Sequence, residues 1–260
     1  MQCLPARECG RRTAPRLVPG AGLRGLLPQG QQALTRQSDQ LARERRALPW
    51  VRIDKPYRFD TPAGPRTLAE LFEGRSQLLV QHFMLGPGWE AGCPSCSFMA
   101  DHADGMLDHL AQRNVTLLAV SRAPLAEIER FKHRMGWRFG WASSAGSDFN
   151  YDFCVSFTPE QCAQGEVYYN YGLEPSTQQE LPGISAFYRD AEGQVYHSYS
   201  TYGRGVEAMI GTYRLLDLAP RGRDEDALPY GMAWVRHHDR YGAPATSSSS
   251  SCGCAAAAQG

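Results

Sequence analysis

Two cysteines, Cys93 and Cys96, stand where an apolar strand gives way to a helix in the sequence pattern. The run from Leu78 to Met84 predicts a buried strand, and a loop rich in glycine and proline joins it to Cys93-Pro94-Ser95-Cys96. Beyond the cysteines, apolar residues recur on one helical face: Met99, Ala103, Met106, Leu107 and Leu110. A C-x-x-C at such a junction indicates a redox pair rather than a structural disulfide framework.

The position of the pair assigns a different role to each cysteine. Unpaired backbone N–H groups and the helix dipole favour a thiolate at Cys93, so its pKa is expected below the ordinary value of about 8.5. Pro94 suits the first helical turn, where its missing N–H is not needed. We expect Cys93 to attack a substrate disulfide and Cys96 to displace the resulting mixed disulfide. The pair would act as a redox-active disulfide without a cofactor.

Short segments along the chain match one protein family. They are Leu48–Arg52, Gly86–Pro87, Trp89–Glu90, Gly92–Phe98, Val120–Pro124, Met135–Trp137, Gly146–Asn150, Ser200–Tyr202 and Met232–Arg236. From about Gln31 to Tyr241 the chain resembles the bacterial thioredoxin-like proteins of domain-of-unknown-function family 899 (DUF899), which are predicted dithiol–disulfide oxidoreductases. The resemblance implies an α/β thioredoxin-like fold, with a central mixed sheet flanked by helices and with N-terminal helical and C-terminal extensions.

Composition and periodicity divide the chain into four segments. Residues 1–30 are rich in Arg, Pro and Gly, and residues 242–260 become rich in Ser and Ala, so both ends are expected to be disordered. Residues 31–48 predict a basic amphipathic helix, with Leu34, Leu41 and Leu48 at seven-residue spacing. This helix suits either docking on a partner subunit, as in a homodimer, or packing on its own domain. Residues 49–241 are assigned to the thioredoxin-like domain.

Within that domain the pattern predicts alternating strands and helices. Val115–Val120 is a second buried strand, which a right-handed crossover would set parallel to the first. Aromatic residues between positions 147 and 179 suit either a pocket lining or a cover over the sheet edge. The other predicted elements are an edge hairpin of Val51–Asp60 and Arg66–Phe72 ending in a short helix, a helix at Leu125–Met135, a strand at Trp137–Ser143, a hairpin of Ile184–Arg189 and Gln194–Ser200, and a closing helix at Val206–Leu218.

Several residues are candidates to support the cysteine pair. Trp89 borders the pair and is expected to shape its entrance, and Arg122, at the end of the second strand, could stabilise a thiolate or bind an anion. Thioredoxin-like proteins usually place a cis-proline opposite the dithiol. Pro182 is the nearest candidate, with an ordinary trans turn as the alternative. Gln81 or His82 occupies the part of the strand where such proteins often carry a buried acid.

Two alternatives to disulfide exchange remain open. The loop leading to the cysteine is also similar to that of peroxiredoxins, so a sulfenic acid at Cys93 could be captured by Cys96. Peroxiredoxins carry Thr or Ser three residues before the reactive cysteine, whereas Glu90 here would repel a developing oxyanion, which favours disulfide exchange. The other alternative is a non-enzymatic redox sensor or metal clip. No second ligand pair with tight spacing accompanies the C-x-x-C, and the available side chains are His102, His109, Cys154 and Cys162.

The charge balance narrows the range of partners. Lysine plus arginine equal aspartate plus glutamate at 27 each, which gives no overall field for nucleic acid, and the apolar runs are too short to span a bilayer. A single C-x-x-C in a structured context among irregularly spaced cysteines is typical of a reducing compartment, so a cytoplasmic location is expected. The predicted partner is a disulfide-bearing protein or small molecule, with neither nucleic acid nor membrane.

Overall fold

The computed structural model describes residues Leu27–Gly242, which divide between Leu48 and Pro49 into two units. The first contains helix α1 (Leu27–Ala47), none of whose residues is buried. It begins four residues before the predicted Gln31, because Pro28 is tolerated in a first turn and an interior glycine such as Gly30 costs only about 1 kcal/mol. The two ends predicted to be disordered lie almost entirely outside the described residues.

The second unit is built on an eight-stranded sheet with the order β1-β10-β9-β4-β5-β6-β2-β3. A separate two-stranded sheet pairs β7 with β8. The strands are β1 (Val51–Arg52), β2 (Arg58–Thr61), β3 (Gly64–Thr67), β4 (Gln77–His82), β5 (Val115–Ser121), β6 (Gly140–Ser143), β7 (Glu166–Tyr169), β8 (Gly172–Pro175), β9 (Gly183–Arg189) and β10 (Val195–Tyr202).

The four central strands carry the thioredoxin-like arrangement. β4 pairs in parallel with β5 and antiparallel with β9, and β9 pairs antiparallel with β10. Val80 and Gln81 of β4 point to opposite faces and are both buried, as expected for a strand covered on both faces. The predicted parallel pairing of the first two strands and the late hairpin are both confirmed. The chain therefore has an α/β thioredoxin-like fold, extended at both sheet edges.

Short helices cover this sheet. They are α2 (Pro94–Ala100), α3 (Leu107–Gln112), α4 (Leu125–Met135), α5 (Phe149–Asp152), α6 (Pro159–Cys162) and α7 (Gly211–Leu216), with 3-10 turns at Glu70–Phe72, Gly203–Met209 and His238–Arg240. α4 has the predicted bounds and ends at Gly136, whose φ of 69° is the left-handed conformation that glycine adopts at helix ends. Ile128 and Phe131 form its buried face, which packs on the sheet.

Two predicted helices are wrong in length. The segment after the cysteines breaks between α2 and α3, because the Asp104 carboxylate accepts hydrogen bonds from the backbone N–H groups of Arg138 and Phe139 instead of remaining on a helical surface. Gly105 follows it and adds no helical propensity. The expected closing helix is likewise a 3-10 turn followed by the short α7, with Ile210 between them at ψ 83°, outside helical geometry.

The predicted edge hairpin and aromatic segment also need correction. β1 pairs with β10 at one edge, whereas β2 and β3 form a hairpin at the other. The strand predicted at Trp137–Ser143 is shorter in the structure, where only Gly140–Ser143 (β6) joins the sheet. Of the aromatic residues between 147 and 179, Phe149, Phe153, Phe157 and Tyr169 are buried in the core rather than lining a pocket.

Candidate functional site

The cysteine pair lies at the junction of β4 and α2. Cys93 is the N-cap residue of α2 and Pro94 is the first helical residue, as predicted for the start of a helix. The Cys93 backbone N–H donates to Met84 O at 3.0 Å, so the loop after β4 returns to the strand it left. The Ser97 N–H and hydroxyl both donate to Cys93 O at 2.9 Å. These bonds fix the backbone of the first cysteine and place Cys96 on the same helical turn.

Close packing surrounds the pair. Cys93 and Cys96 are only 3% and 1% exposed and belong to one apolar cluster with Phe83, which follows β4, and with aromatic residues of α4 and β6. A Cβ at position 92 would lie 2.5 Å from Phe83 Cε1 and 2.8 Å from Phe131 Cε1, so only glycine fits beside Cys93. Trp89 is partly buried against the same cluster. The cysteines are thus in an apolar site with narrow access to solvent.

Neighbouring residues of β4 point to opposite faces of the sheet. Gln81 faces α2, where its Nε2 donates to the Cys96 carbonyl at 3.1 Å in the buried interior. His82 faces the other side, where its ring stacks against Phe149 and Phe153. Of the two residues proposed for the position of the buried acid, the structure therefore brings Gln81, and not His82, to the cysteine pair.

His82 instead begins a buried polar chain through the sheet. Its Nε2 lies 2.7 Å from Ser185 Oγ, which lies 2.8 Å from Ser200 Oγ, which in turn lies 2.7 Å from His197 Nε2. Within the described residues, His82 Nδ1 has no hydrogen-bond partner. Burial, aided by the nearby His197, lowers the pKa of His82 to about 3, and burial also lowers the pKa of His197. His82 is therefore neutral at physiological pH.

Pro182 lies near the cysteines, and the peptide bond before it is trans. A cavity of about 240 Å³ has Pro182 and Cys96 in its walls, together with residues after β10. The Pro182 carbonyl accepts a 2.6 Å hydrogen bond from the Tyr169 hydroxyl, which holds this turn in place. We refer to this space as the Cys96 cavity.

Arg122 has other partners than the cysteines. Its Nε donates to Glu180 Oε1 at 2.7 Å and it also donates to the Tyr151 hydroxyl. Glu180 is buried and accepts a second bond from the Ser156 hydroxyl at 2.6 Å. Burial raises the pKa of Glu180 even though Arg122 and Ser156 favour its charged form. The guanidinium thus compensates a buried carboxylate that sequence reasoning did not identify.

The C-terminal segment is hydrogen-bonded to Gly92, the residue before the first cysteine. His237 Nε2 lies 2.8 Å from Gly92 O, and Arg134 Nη2 lies 3.1 Å from His237 Nδ1. Because a carbonyl only accepts and a guanidinium only donates, the ring is neutral with its proton on Nε2. Burial lowers the pKa of His237, consistent with this state. Arg134 is held in turn by Asp239 at 2.9 Å. No pattern in the sequence connects these positions.

Two of the four side chains available for a zinc site, those of His102 and Cys162, contact other groups. His102 Nδ1 donates to Phe98 O at 2.8 Å, and its Nε2 accepts from the Thr212 N–H at 3.1 Å. The Cys162 thiol lies 3.4 Å from Gln178 O. Among residues 27–242, no group of three or more His, Cys, Asp or Glu side chains is placed to hold a metal ion. In the same range no helix is both long and apolar enough to cross a membrane.

Comparison with known proteins gives one family and distant structural similarities. A family model described as a bacterial protein of unknown function (DUF899) matches residues 24–241. Peroxiredoxin Q of Xanthomonas campestris is 11% identical, with a TM-score of 0.44 over 66% of this chain and 98% of that one. Peroxidoxin BcpB of Mycobacterium tuberculosis is 14% identical, with a TM-score of 0.40 over 64% and 95%. No curated protein matches the sequence.

Proposed function

The chain belongs to the bacterial DUF899 family, and from its cysteine pair we propose that it is a thiol–disulfide oxidoreductase. The observation that carries the proposal is that Cys93 caps the first turn of α2 and Cys96 lies on that same turn. A thiolate at a helix start and a second thiol within the first turn are what disulfide exchange requires.

The proposed reaction balances within the protein and its substrate. The Cys93 thiolate attacks one sulfur of a disulfide, so the substrate S–S bond breaks and one half leaves as a thiolate that takes up a proton. Cys96 then loses its proton and attacks the Cys93 sulfur, which releases the second half as a thiol. Two electrons pass from the cysteine pair to the substrate for each Cys93–Cys96 disulfide formed.

Cysteine variants test the assignment. The reduced protein should consume one equivalent of a model disulfide such as 2-hydroxyethyl disulfide and form the Cys93–Cys96 bond, detectable in peptides by mass spectrometry. Cys93→Ser should abolish the reaction, and Cys96→Ser should accumulate a mixed disulfide at Cys93. Cys154→Ser is the matched control, because this partly exposed cysteine lies outside the site and its loss should leave the rate unchanged. A mixed disulfide that forms on Cys96 in the Cys93→Ser protein at the wild-type rate would reverse the roles.

Peroxide reduction is the competing reaction. Glu90, three residues before Cys93, is exposed and places a carboxylate near the loop that a peroxide would approach. We therefore expect the second-order rate of oxidation by hydrogen peroxide to be below that by the model disulfide at neutral pH. A peroxide rate well above the disulfide rate would make thiol peroxidase the better assignment.

A further inference from the structure

The Cys96 cavity reaches the second cysteine of the pair, whereas Cys93 is not among the residues that line it. Ser95 and Cys96 form part of its wall, and Met99, Val206 and Ile210 contribute apolar surface. Its volume of about 240 Å³ is more than a single water molecule needs and is enough for a small organic molecule. Since the two cysteines are themselves 3% and 1% exposed, a folded protein cannot present a surface disulfide to them without displacing this wall. A small molecule can enter.

One side of the cavity offers a cation with unused donors. Arg204 lines the cavity, and its side chain is 61% exposed. Its Nε donates to Glu207 at 2.8 Å, and within residues 27–242 its two terminal nitrogens have no acceptor. Arg223, the other lining arginine, is instead held by Asp217 and Glu207. The planar fork of Arg204 is thus available to a carboxylate.

Another side offers a fixed carboxylate. Glu225 Oε1 accepts hydrogen bonds from the Tyr213 hydroxyl at 2.7 Å, the Met232 N–H at 3.0 Å and Trp234 Nε1 at 2.6 Å. These three donors orient the side chain without using its second oxygen. Within the described part of the chain, Glu225 Oε2 has no hydrogen-bond donor, and Glu225 lines the cavity. An ammonium group bound in the cavity would donate to Glu225 Oε2.

We propose that the Cys96 cavity binds small disulfides built from amino acids, which carry a carboxylate for Arg204 and an ammonium for Glu225. This inference rests on the proposed function, since the bound disulfide would be reduced by the cysteine pair in the two exchange steps given above. The apolar wall accommodates the methylene groups beside the sulfurs. The S–S bond lies beside Cys96, three residues along the helix from the Cys93 thiolate that attacks it. Charge and size together then select amino-acid disulfides over protein disulfides.

Four small disulfides separate the contributions of the two charges. The fully reduced, full-length protein is mixed with cystine, which carries both groups, with cystamine, with 3,3′-dithiodipropionate and with neutral 2-hydroxyethyl disulfide. Each rate is divided by the rate of the same disulfide with dithiothreitol, which removes intrinsic reactivity. Cystine should react about five- to tenfold faster than the neutral disulfide after this correction, as expected for partly exposed charged hydrogen bonds. Insulin disulfides should react more slowly than cystine.

Single-residue variants test which side chains produce the preference for amino-acid disulfides. Arg204→Gln should lower the corrected rates of cystine and dithiodipropionate about fivefold and leave the neutral disulfide unchanged. Glu225→Gln, which keeps the shape of the side chain, should instead lower the rates of cystine and cystamine. Arg221→Gln is the control, because Arg221 is exposed and lies outside the cavity.

The outcomes distinguish this inference from the function on which it rests. If 2-hydroxyethyl disulfide oxidises the pair but cystine shows no advantage, or Arg204→Gln slows the neutral disulfide equally, the cavity does not select amino-acid disulfides. Insulin disulfides reacting faster than cystine would also overturn the inference while leaving the oxidoreductase intact. If no disulfide oxidises the pair, the proposed function itself is wrong.

Discussion

Replacing the buried imidazole of His82 should change how stability depends on pH. The pKa of this ring is lowered from 6.5 to about 3, so the folded protein stays neutral at His82 where the unfolded chain becomes protonated. Because the pKa of the folded state is lowered, the contribution of the neutral His82 ring to the free energy of unfolding is fully present above pH 6.5. This contribution is lost as the pH falls toward 3. From pH 7.5 to 5.0, an unfolded-state pKa of 6.5 makes this one group remove about 2 kcal/mol from the free energy of unfolding.

The informative variant is His82→Gln. Glutamine can still reach the Ser185 hydroxyl, which lies 2.7 Å from His82 Nε2, but it cannot be protonated. At pH 7.5 the variant should be less stable by roughly 1–3 kcal/mol, because the ring contacts with Phe149 and Phe153 are lost. This deficit should shrink by about 2 kcal/mol on going to pH 5.0, since only the wild type then carries the penalty of the unprotonated ring.

Urea unfolding at half-unit intervals between pH 7.5 and 5.0 measures the difference directly. The window stays above the range in which most carboxylates titrate. His237, whose pKa is also lowered by burial, contributes equally to both proteins and cancels. His109→Gln, at an exposed position on α3, controls for the loss of one histidine. A deficit of His82→Gln that stays constant across the window would refute the assignment of the pH dependence to this ring.

Three further outcomes are expected from residues around the cysteines. Reduction and oxidation of the pair should change the tryptophan emission, because Trp89 packs on the cluster that contains Cys93. The change should be lost in Trp89→Phe, and a variant that keeps the full change would show that Trp89 does not report the redox state. Gln81→Leu should lower the free energy of unfolding by about 0.5–1.5 kcal/mol in urea, because one buried hydrogen bond to the Cys96 carbonyl is lost, and a neutral result would show that the bond contributes little. An NMR titration should place the pKa of His237 below 6.5, with a value at or above 6.5 contradicting the neutral ring.

What the sequence predicts well is local. The α4 helix follows from its own apolar spacing, with Pro124 before it and Gly136 after it. The β4–β5 pairing follows from two apolar runs and a crossover, which leaves one favourable handedness and direction. The cysteine pair can be recognised in the sequence because the two cysteines and the strand before them are close together along the chain. The helix and the cysteine pair are determined by neighbours in the chain, and the strand pairing by the favoured handedness of the crossover.

Long-range contacts explain the failures. α2 and α3 form no continuous helix because Asp104 bonds to backbone groups before β6, an option that helical periodicity does not reveal. The choice between Gln81 and His82 depends on which face of β4 the cysteine helix covers. Strand alternation fixes that the two side chains point apart, but only the packed structure assigns the faces. The same holds for Glu180, whose partner Arg122 comes from another element.

The C-terminal segment changes what the C-x-x-C pattern implies for function. By itself the pattern predicts a reactive thiol at a helix start that meets substrates directly. Here His237 bonds to Gly92 and Glu225 fixes one side of the Cys96 cavity, although neither belongs to a redox motif. In the function that we propose, the cysteines supply the chemistry and these distant residues line the approach to Cys96. On that basis, differences in substrate among proteins with this cysteine motif should follow the segment after β10 rather than the motif.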